Sequence, residues 1–230
     1  MNQSSYKSAL IVGAGSGLSA SLARRLSREG LAIALAARDA DKLKSLCAET
    51  DAAAFACDAQ DEAQVARLFE SVDARFGSPD VVIYNASARA RGPLTTLDAE
   101  AVRRTLLVSA FGAFLVAQRA ALRMLAEGGG AILFTGASAS VKGYAESAPF
   151  AMGKFALRGL AQSMARELAP KGIHVAHFVI DGAIRARGRT DADDTTLDPD
   201  AIAETYLRVL QQPRSAWTWE VELRPWVERF

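Results

Sequence analysis

Short apolar runs of four to eight residues alternate along the chain with longer stretches in which apolar positions recur every three or four residues. The short runs read as strands and the longer ones as helices. "SALIVG" (8–13) is a first strand. Over 17–29, Leu18, Leu22 and Leu26 share one stripe, and Gly30 closes the helix. "LAIALAA" (31–37) is a second strand, followed by a helix over 39–49 with Asp39 as its cap. "AAFACD" (53–58) and a helix over 61–76 come next. "DVVIYNA" (80–86) leads to a long helix over 98–127. "GAILFTG" (130–136) leads to a helix over 150–169, and "HVAHFVI" (174–180) is a sixth strand. Trp217, Trp219, Val221 and Leu223 alternate as a seventh strand would, and Pro225 ends it.

The strands are apolar throughout rather than alternating, so both faces of their sheet must be covered. Helices between strands imply right-handed βαβ units and a mostly parallel sheet. The expected fold is therefore α/β and doubly wound, with seven strands and helices on both faces. The 230 residues suit one domain spanning the whole chain. The polar stretch "RARGRTDADDTTLDPD" (185–200) follows the sixth strand and reads as a surface loop, in position to cover a substrate.

Composition narrows the class of function. The formal net charge is +1, so nothing in the balance points to nucleic acid. No uninterrupted apolar run reaches the length that spans a bilayer. "MNQSSYK" lacks the regions of a signal peptide. Cys47 and Cys57 have no metal-ligand spacing, so no metal is expected, and Cys57 reads as a buried thiol. A reducing, cytoplasmic setting is the expectation.

The chemistry begins at the turn after the first strand, "VGAGSGLSASLARRL". Glycine lets a backbone turn tightly and approach a ligand closely. The helix N-terminus that follows offers free N–H groups and the positive end of a dipole to a phosphate. A glycine-rich turn between a strand and a helix at the start of an α/β chain is a strong signal for a nucleotide. The spacing Gly13-x3-Gly17-x-Ser19 differs from G-x-G-x-x-G. It resembles the G-x3-G-x-G turn of the short-chain dehydrogenase/reductase family, with Ser19 where the last glycine would stand.

That resemblance extends along most of the chain and weakens after about Ala183. It implies a Rossmann-type fold whose first part, about 1–140, binds a dinucleotide, with the substrate side over about 141–230. Gly13, Gly15, Ser16, Gly17 and Leu18 would form the phosphate turn. "AARDADKL" places neutral Ala37 and then Arg38 beside the adenosine ribose. A guanidinium there favours a 2′-phosphate, so NADP(H) is expected over NAD(H); the competing reading is a solvated charge at a helix entry. "CDAQD" places Asp58 and Ala59 at the adenine. "YNAS" keeps Asn85 and Ala86 of the family's N-N-A-G. Asp181-Gly182 stands where a Pro-Gly pair is usual, with Gly182 beside the cofactor.

The family's active site is an Asn–Ser–Tyr–Lys set. Lys154 of "FAMGKFALRGL" matches the lysine of Y-x3-K, and the tyrosine position is Phe150. "TGASAS" offers Ser138 or Ser140 as the serine, with spacing favouring Ser138. The asparagine position falls on Ser109. In the family the tyrosine hydroxyl moves the proton as hydride moves at a carbonyl carbon, and the lysine lowers its pKa and bonds the nicotinamide ribose. Phe150 has no titratable proton. Loss of general acid–base catalysis is worth roughly a 10²–10⁴-fold factor. Two outcomes follow. Either the protein reduces or oxidises a small substrate by an altered proton route, through Tyr144, Lys154, a serine or a water. Or it binds NADP(H) and does little chemistry, as a sensor or binding module.

"RARG" occurs after the fourth strand and again after the sixth. Arg89, Arg91, Arg185, Arg187 and Arg189 are thus placed to rim the crevice and meet an anionic substrate group. The competing reading is loop charge balanced by Asp191, Asp193 and Asp194. His174 and His177 lie three apart in a strand, on opposite faces, and receive no role. The helices over 98–127 and 150–169 pair across subunits in many relatives, which implies a homodimer or homotetramer.

Overall fold

A computed structural model describes residues 6–186 and 188–228; Arg187 therefore lies outside the described residues. The strands are β1 (Ser8–Val12), β2 (Ala32–Ala37), β3 (Ala53–Ala56), β4 (Val81–Tyr84), β5 (Gly130–Thr135), β6 (Ile173–Ile180) and β7 (Glu220–Leu223). They form one sheet in the order β3-β2-β1-β4-β5-β6-β7, and every neighbouring pair is parallel. This is the doubly wound Rossmann-type α/β fold the sequence implied. From β1 the chain steps outward through β2 and β3, then returns to β4 on the other side of β1. The reversal opens a crevice at the carboxyl ends of β1 and β4.

The helices are α1 (Leu18–Arg28), α2 (Lys44–Thr50), α3 (Glu62–Phe76), α4 (Ala99–Leu106), α5 (Gly112–Glu127), α6 (Ala148–Leu168) and α7 (Pro199–Leu210). Alternate strand residues serve opposite cores. Ile11, Leu35, Ile83 and Phe178 pack with α1 and α7 on one face. Leu10, Val12, Val82 and Phe134 pack with α3, α5 and α6 on the other. Two covered faces explain strands without a polar side.

Four expectations change. The helix expected over 98–127 contains a π-helical turn, Leu107–Phe111, between α4 and α5. The whole run, Ala99–Glu127, is long and apolar enough to cross a bilayer, yet half of its apolar window is buried in this fold. Helix α7 was not anticipated; Asp198 caps it by accepting from Asp200 N, and Pro199 starts its first turn. The 188–200 stretch is tied down: Ile184 pairs with Leu197, and Asp191 accepts from Thr195 and Thr196. Finally, β7 begins only at Glu220, so Trp217 and Trp219 precede it. Trp217 stacks on His174 at 4.6 Å between ring centres, and Arg158 lies over Trp219.

Candidate active site

The turn after β1 is set by contact with β4. Gly13 has φ +86°, and a Cβ there would lie 2.3 Å from Ala86 N. No other residue fits. Gly13 N and Ala14 N both donate to Ala36 O at 2.9 Å. Ser19, buried, does more than keep the turn small. Its hydroxyl donates to Gly13 O at 3.1 Å and accepts from Asn85 Nδ2 at 2.6 Å. Asn85 N in turn donates to Val12 O at 2.8 Å. The ends of β1 and β4 are thus locked together by Ser19 and Asn85.

Gly15 and Gly17 are different: a Cβ on either would meet nothing within 4 Å. Helix α1, whose N-cap is Gly17, has no side-chain cap and no acidic residue in its first turn. Its dipole end is therefore free for an anion. The crevice beside it has a volume of about 1070 Å³, and Gly15, Ser16, Arg38, Asp58, Ala59 and Ala86 are among its walls. Arg38 is exposed there and has no ion pair among the described residues, whereas neighbouring Asp39 is held by Lys42 at 3.2 Å. Asp58 accepts from Gln60 through both oxygens, from the amide N at 3.2 Å and from Nε2 at 3.0 Å. An open glycine turn and an uncapped helix fit the phosphates of a dinucleotide. Leu18 turns its side chain into the core. Gly182, φ +149°, serves packing: a Cβ there would lie 2.7 Å from Pro225 Cδ. Its neighbour Asp181, buried, accepts from Lys142 Nζ at 2.8 Å, which ties the segment after β5 to the end of β6.

The π-helical turn sits above β4. Tyr84, at the end of β4 and fully buried, donates its hydroxyl to Val108 O at 2.5 Å. Burial pushes the Tyr84 phenol well above its ordinary value. Ser109 is fully buried in the same turn, and a Cβ on Gly153 would lie 2.9 Å from its Cβ. Gly153 thus lets α6 press against Ser109, and Lys154 is the next residue on that helix.

Lys154 is 3% exposed and donates to Thr135 O at 2.7 Å. Burial, then the charge of Arg89, bring its pKa down to about 7. Phe150, one helical turn earlier, is buried against Ala137 and Ala139. Its ring centre is 5.9 Å from Lys154 Nζ and 4.2 Å from the guanidinium carbon of Arg89. Lys154, Phe150 and the 137–140 turn are therefore brought together. Tyr144 is 50% exposed, on the segment between that turn and α6, and no contact joins it to Lys154.

The two serines separate clearly. Ser140 is fully buried; its Oγ lies 3.3 Å from His177 Nε2 and accepts from Ala137 N at 3.2 Å. His177 Nδ1 lies 3.1 Å from Glu220 Oε2, and Arg158 donates to both Glu220 oxygens through Nε and Nη2. Burial lowers the His177 pKa to about 4, so the ring is neutral at pH 7. A carboxylate only accepts, so Nδ1 carries the hydrogen and Ser140 donates to Nε2. Ser140 is spent on structure. Ser138 is partly exposed, and its hydroxyl has no partner among the described residues. The chain of Ser140, His177, Glu220 and Arg158 was missed by sequence reasoning, which gave His177 no role. Of the rim arginines, Arg185 is committed to Asp198 at 2.5 Å, Arg91 and Arg189 are exposed, and Arg89 lines the crevice.

Residues 7–194 match the family described as short chain dehydrogenase, and the chain belongs to that family. An uncharacterized oxidoreductase of Staphylococcus aureus (strain N315) is 28% identical over 225 residues, 95% of this chain and 97% of that one. A short-chain dehydrogenase from Rhodopseudomonas palustris is 35% identical, with a TM-score of 0.85 over 96% of this chain and 99% of that chain. A metagenomic short-chain oxidoreductase solved in complex with NADP is 28% identical, with a TM-score of 0.85 over 97% of this chain and 99% of that chain. The protein is an oxidoreductase of the short-chain dehydrogenase type.

Proposed function

We propose that the protein uses NADP(H) to interconvert a small carbonyl compound and its alcohol, by a proton route that bypasses the residue one turn before Lys154. The observation that carries this reading is the buried Lys154 amine, with the hydroxyl-free ring of Phe150 beside it and Arg89, which lines the crevice, over the same ring. When bound, the nicotinamide supplies or accepts the hydride. Arg38 would meet the 2′-phosphate, and the NADP carried by the metagenomic relative supports that choice. Gly15, Ser16 and the start of α1 would hold the diphosphate, and Lys154 the nicotinamide ribose. Ser138 offers its unpartnered hydroxyl to the substrate oxygen. Lys154 holds the proton: it changes charge near neutral pH, and an ammonium has donors to spare beyond the one given to Thr135.

The experiment measures NADPH and NADH binding by fluorescence, then NADPH oxidation over a panel of carbonyl compounds. Wild type, Phe150→Tyr and Lys154→Ala are compared. NADPH is expected to bind more tightly than NADH, and wild type to turn over while Lys154→Ala does not. Tight binding with no turnover, and turnover gained only in Phe150→Tyr, would remove the altered route. No binding of either cofactor would remove the function. We also propose a homodimer through the face carrying Phe111, Phe114, Leu122 and Leu125 near α5 and Met152 and Phe155 of α6, all exposed. A monomer by sedimentation would exclude it.

A further inference from the structure

The segment after β4, "NASARARG", places a second cation at Phe150. The guanidinium carbon of Arg89 is 4.2 Å from the Phe150 ring centre, and Lys154 Nζ is 5.9 Å from the same point. One aromatic ring thus has two basic groups over it. Lys154 is buried, whereas Arg89 is exposed to the crevice it lines. Among the described residues no carboxylate pairs with Arg89. That sets it apart from Arg24, Arg25, Arg123, Arg158 and Arg185, each of which has one.

Its segment is held at both ends. Ala88 N donates to Ser109 Oγ at 3.4 Å, and Gly92 N donates to Glu146 O at 3.1 Å. The ring of Phe150 supplies a cation–π platform between those anchors. Two neighbouring cations without a counter-ion oppose each other. Arg89 lowers the proton affinity of Lys154, and burial, then Arg91, lower that of Arg89. An anion in the crevice would relieve both. A guanidinium presents a planar fork that matches a carboxylate with two parallel hydrogen bonds. Arg89 stands with Phe150 and Lys154, and Arg38 is the guanidinium placed for the cofactor's ribose phosphate.

We propose that Arg89 is a specificity-determining residue that receives a carboxylate of the substrate, so that the substrates are oxo acids and the corresponding hydroxy acids. This rests on the oxidoreductase reading above. In that role Phe150 is the platform of the anion receptor, which gives its ring a function without a hydroxyl.

The test uses matched pairs that differ only in a carboxylate against an acetyl group: pyruvate with butane-2,3-dione, and phenylglyoxylate with 1-phenylpropane-1,2-dione. Binding is measured by calorimetry to protein saturated with NADP⁺, where no reduction occurs, and kcat/KM is measured with NADPH. Wild type is expected to prefer at least one acid over its dione by tenfold or more. Arg89→Met should weaken acid binding about tenfold to a hundredfold, and leave dione and NADP⁺ binding within about twofold. Arg89→Lys should recover part of the loss. No preference in wild type, or equal losses for acid and dione in Arg89→Met, overturns the proposal while leaving the oxidoreductase intact. So does a tenfold loss of NADP⁺ affinity with the acid preference unchanged, which would assign Arg89 to the cofactor. Failure of wild type to bind NADP⁺ brings down the underlying reading and this one with it.

Discussion

The glycine turn and the surroundings of Lys154 are built by different means. At the turn after β1 the shape is made by backbone, and sterics dictate the residue: Gly13 touches Ala86, while Gly15 and Gly17 leave open space. Around Lys154 the surroundings are made by side chains on α6 and on the segments after β4 and β5. One helical turn before Lys154, Phe150 packs on Ala137 and Ala139, and Ser109 packs on Gly153 while its hydroxyl accepts from Ala88 N. The backbone-built end therefore tolerates little change without unfolding. The side-chain-built end can exchange its chemistry and keep the fold.

The sharpest way to break this contrast is Gly13→Ala. The new methyl would sit 2.3 Å from Ala86 N, in a backbone conformation that L side chains rarely adopt. A loss of about 3–5 kcal/mol is expected, with NADPH binding lost at the same time. At roughly 2–4 °C per kcal/mol for a chain of this size, the melting temperature should fall by about 6–20 °C. A Gly13→Ala protein with unchanged melting temperature would remove the claim that sterics govern this end.

Lys154→Met probes the other end. In the folded chain Lys154 holds its proton only up to about pH 7, against an ordinary value of 10.5. Between those limits the unfolded chain binds the extra proton, so this group makes stability rise with pH from about 7 to 10.5. The slope reaches at most about 1.4 kcal/mol per pH unit, and below pH 7 the contribution stays at its low level. Lys154→Met should flatten that rise, read as the difference between denaturation curves of the two proteins across pH 6–10. Equal slopes would mean that Lys154 keeps its proton in the folded state.

What could be read in advance follows the same division. Strands β1 to β6 and the glycine turn are legible because local pattern alone produces them. Helix α7 escaped notice because its apolar positions, Ile202, Ala203, Tyr206, Leu207 and Leu210, follow directly on the acidic stretch. The alternation of Trp217 and Trp219 suggested strand, but their rings answer to His174 and Arg158, which no local pattern reveals. The Ser140–His177–Glu220 chain joins residues 37 and 43 positions apart, and Arg89 reaches Phe150 across 61. Such pairings depend on which strand ends meet, so they emerge only with the fold.

The smallest expected effects come from the two serines, and they divide structure from chemistry within a single turn. Ser140→Ala leaves His177 Nε2 without its donor and Ala137 N without its acceptor, both in the interior. An unsatisfied buried group costs about 1–3 kcal/mol, so thermal stability should fall measurably. Turnover should fall with it, because the turn that carries Ser138 loosens. Ser138→Ala removes a hydroxyl with no protein partner among the described residues. Its stability should stay within about 0.5 kcal/mol of wild type. NADPH binding should be unchanged, and kcat should drop through loss of the hydrogen bond to the reacting oxygen. Comparison of melting temperature with kcat for the two variants separates the roles. The reverse pattern, stability lost at Ser138 and chemistry alone lost at Ser140, would place the substrate oxygen on the His177 side of the turn.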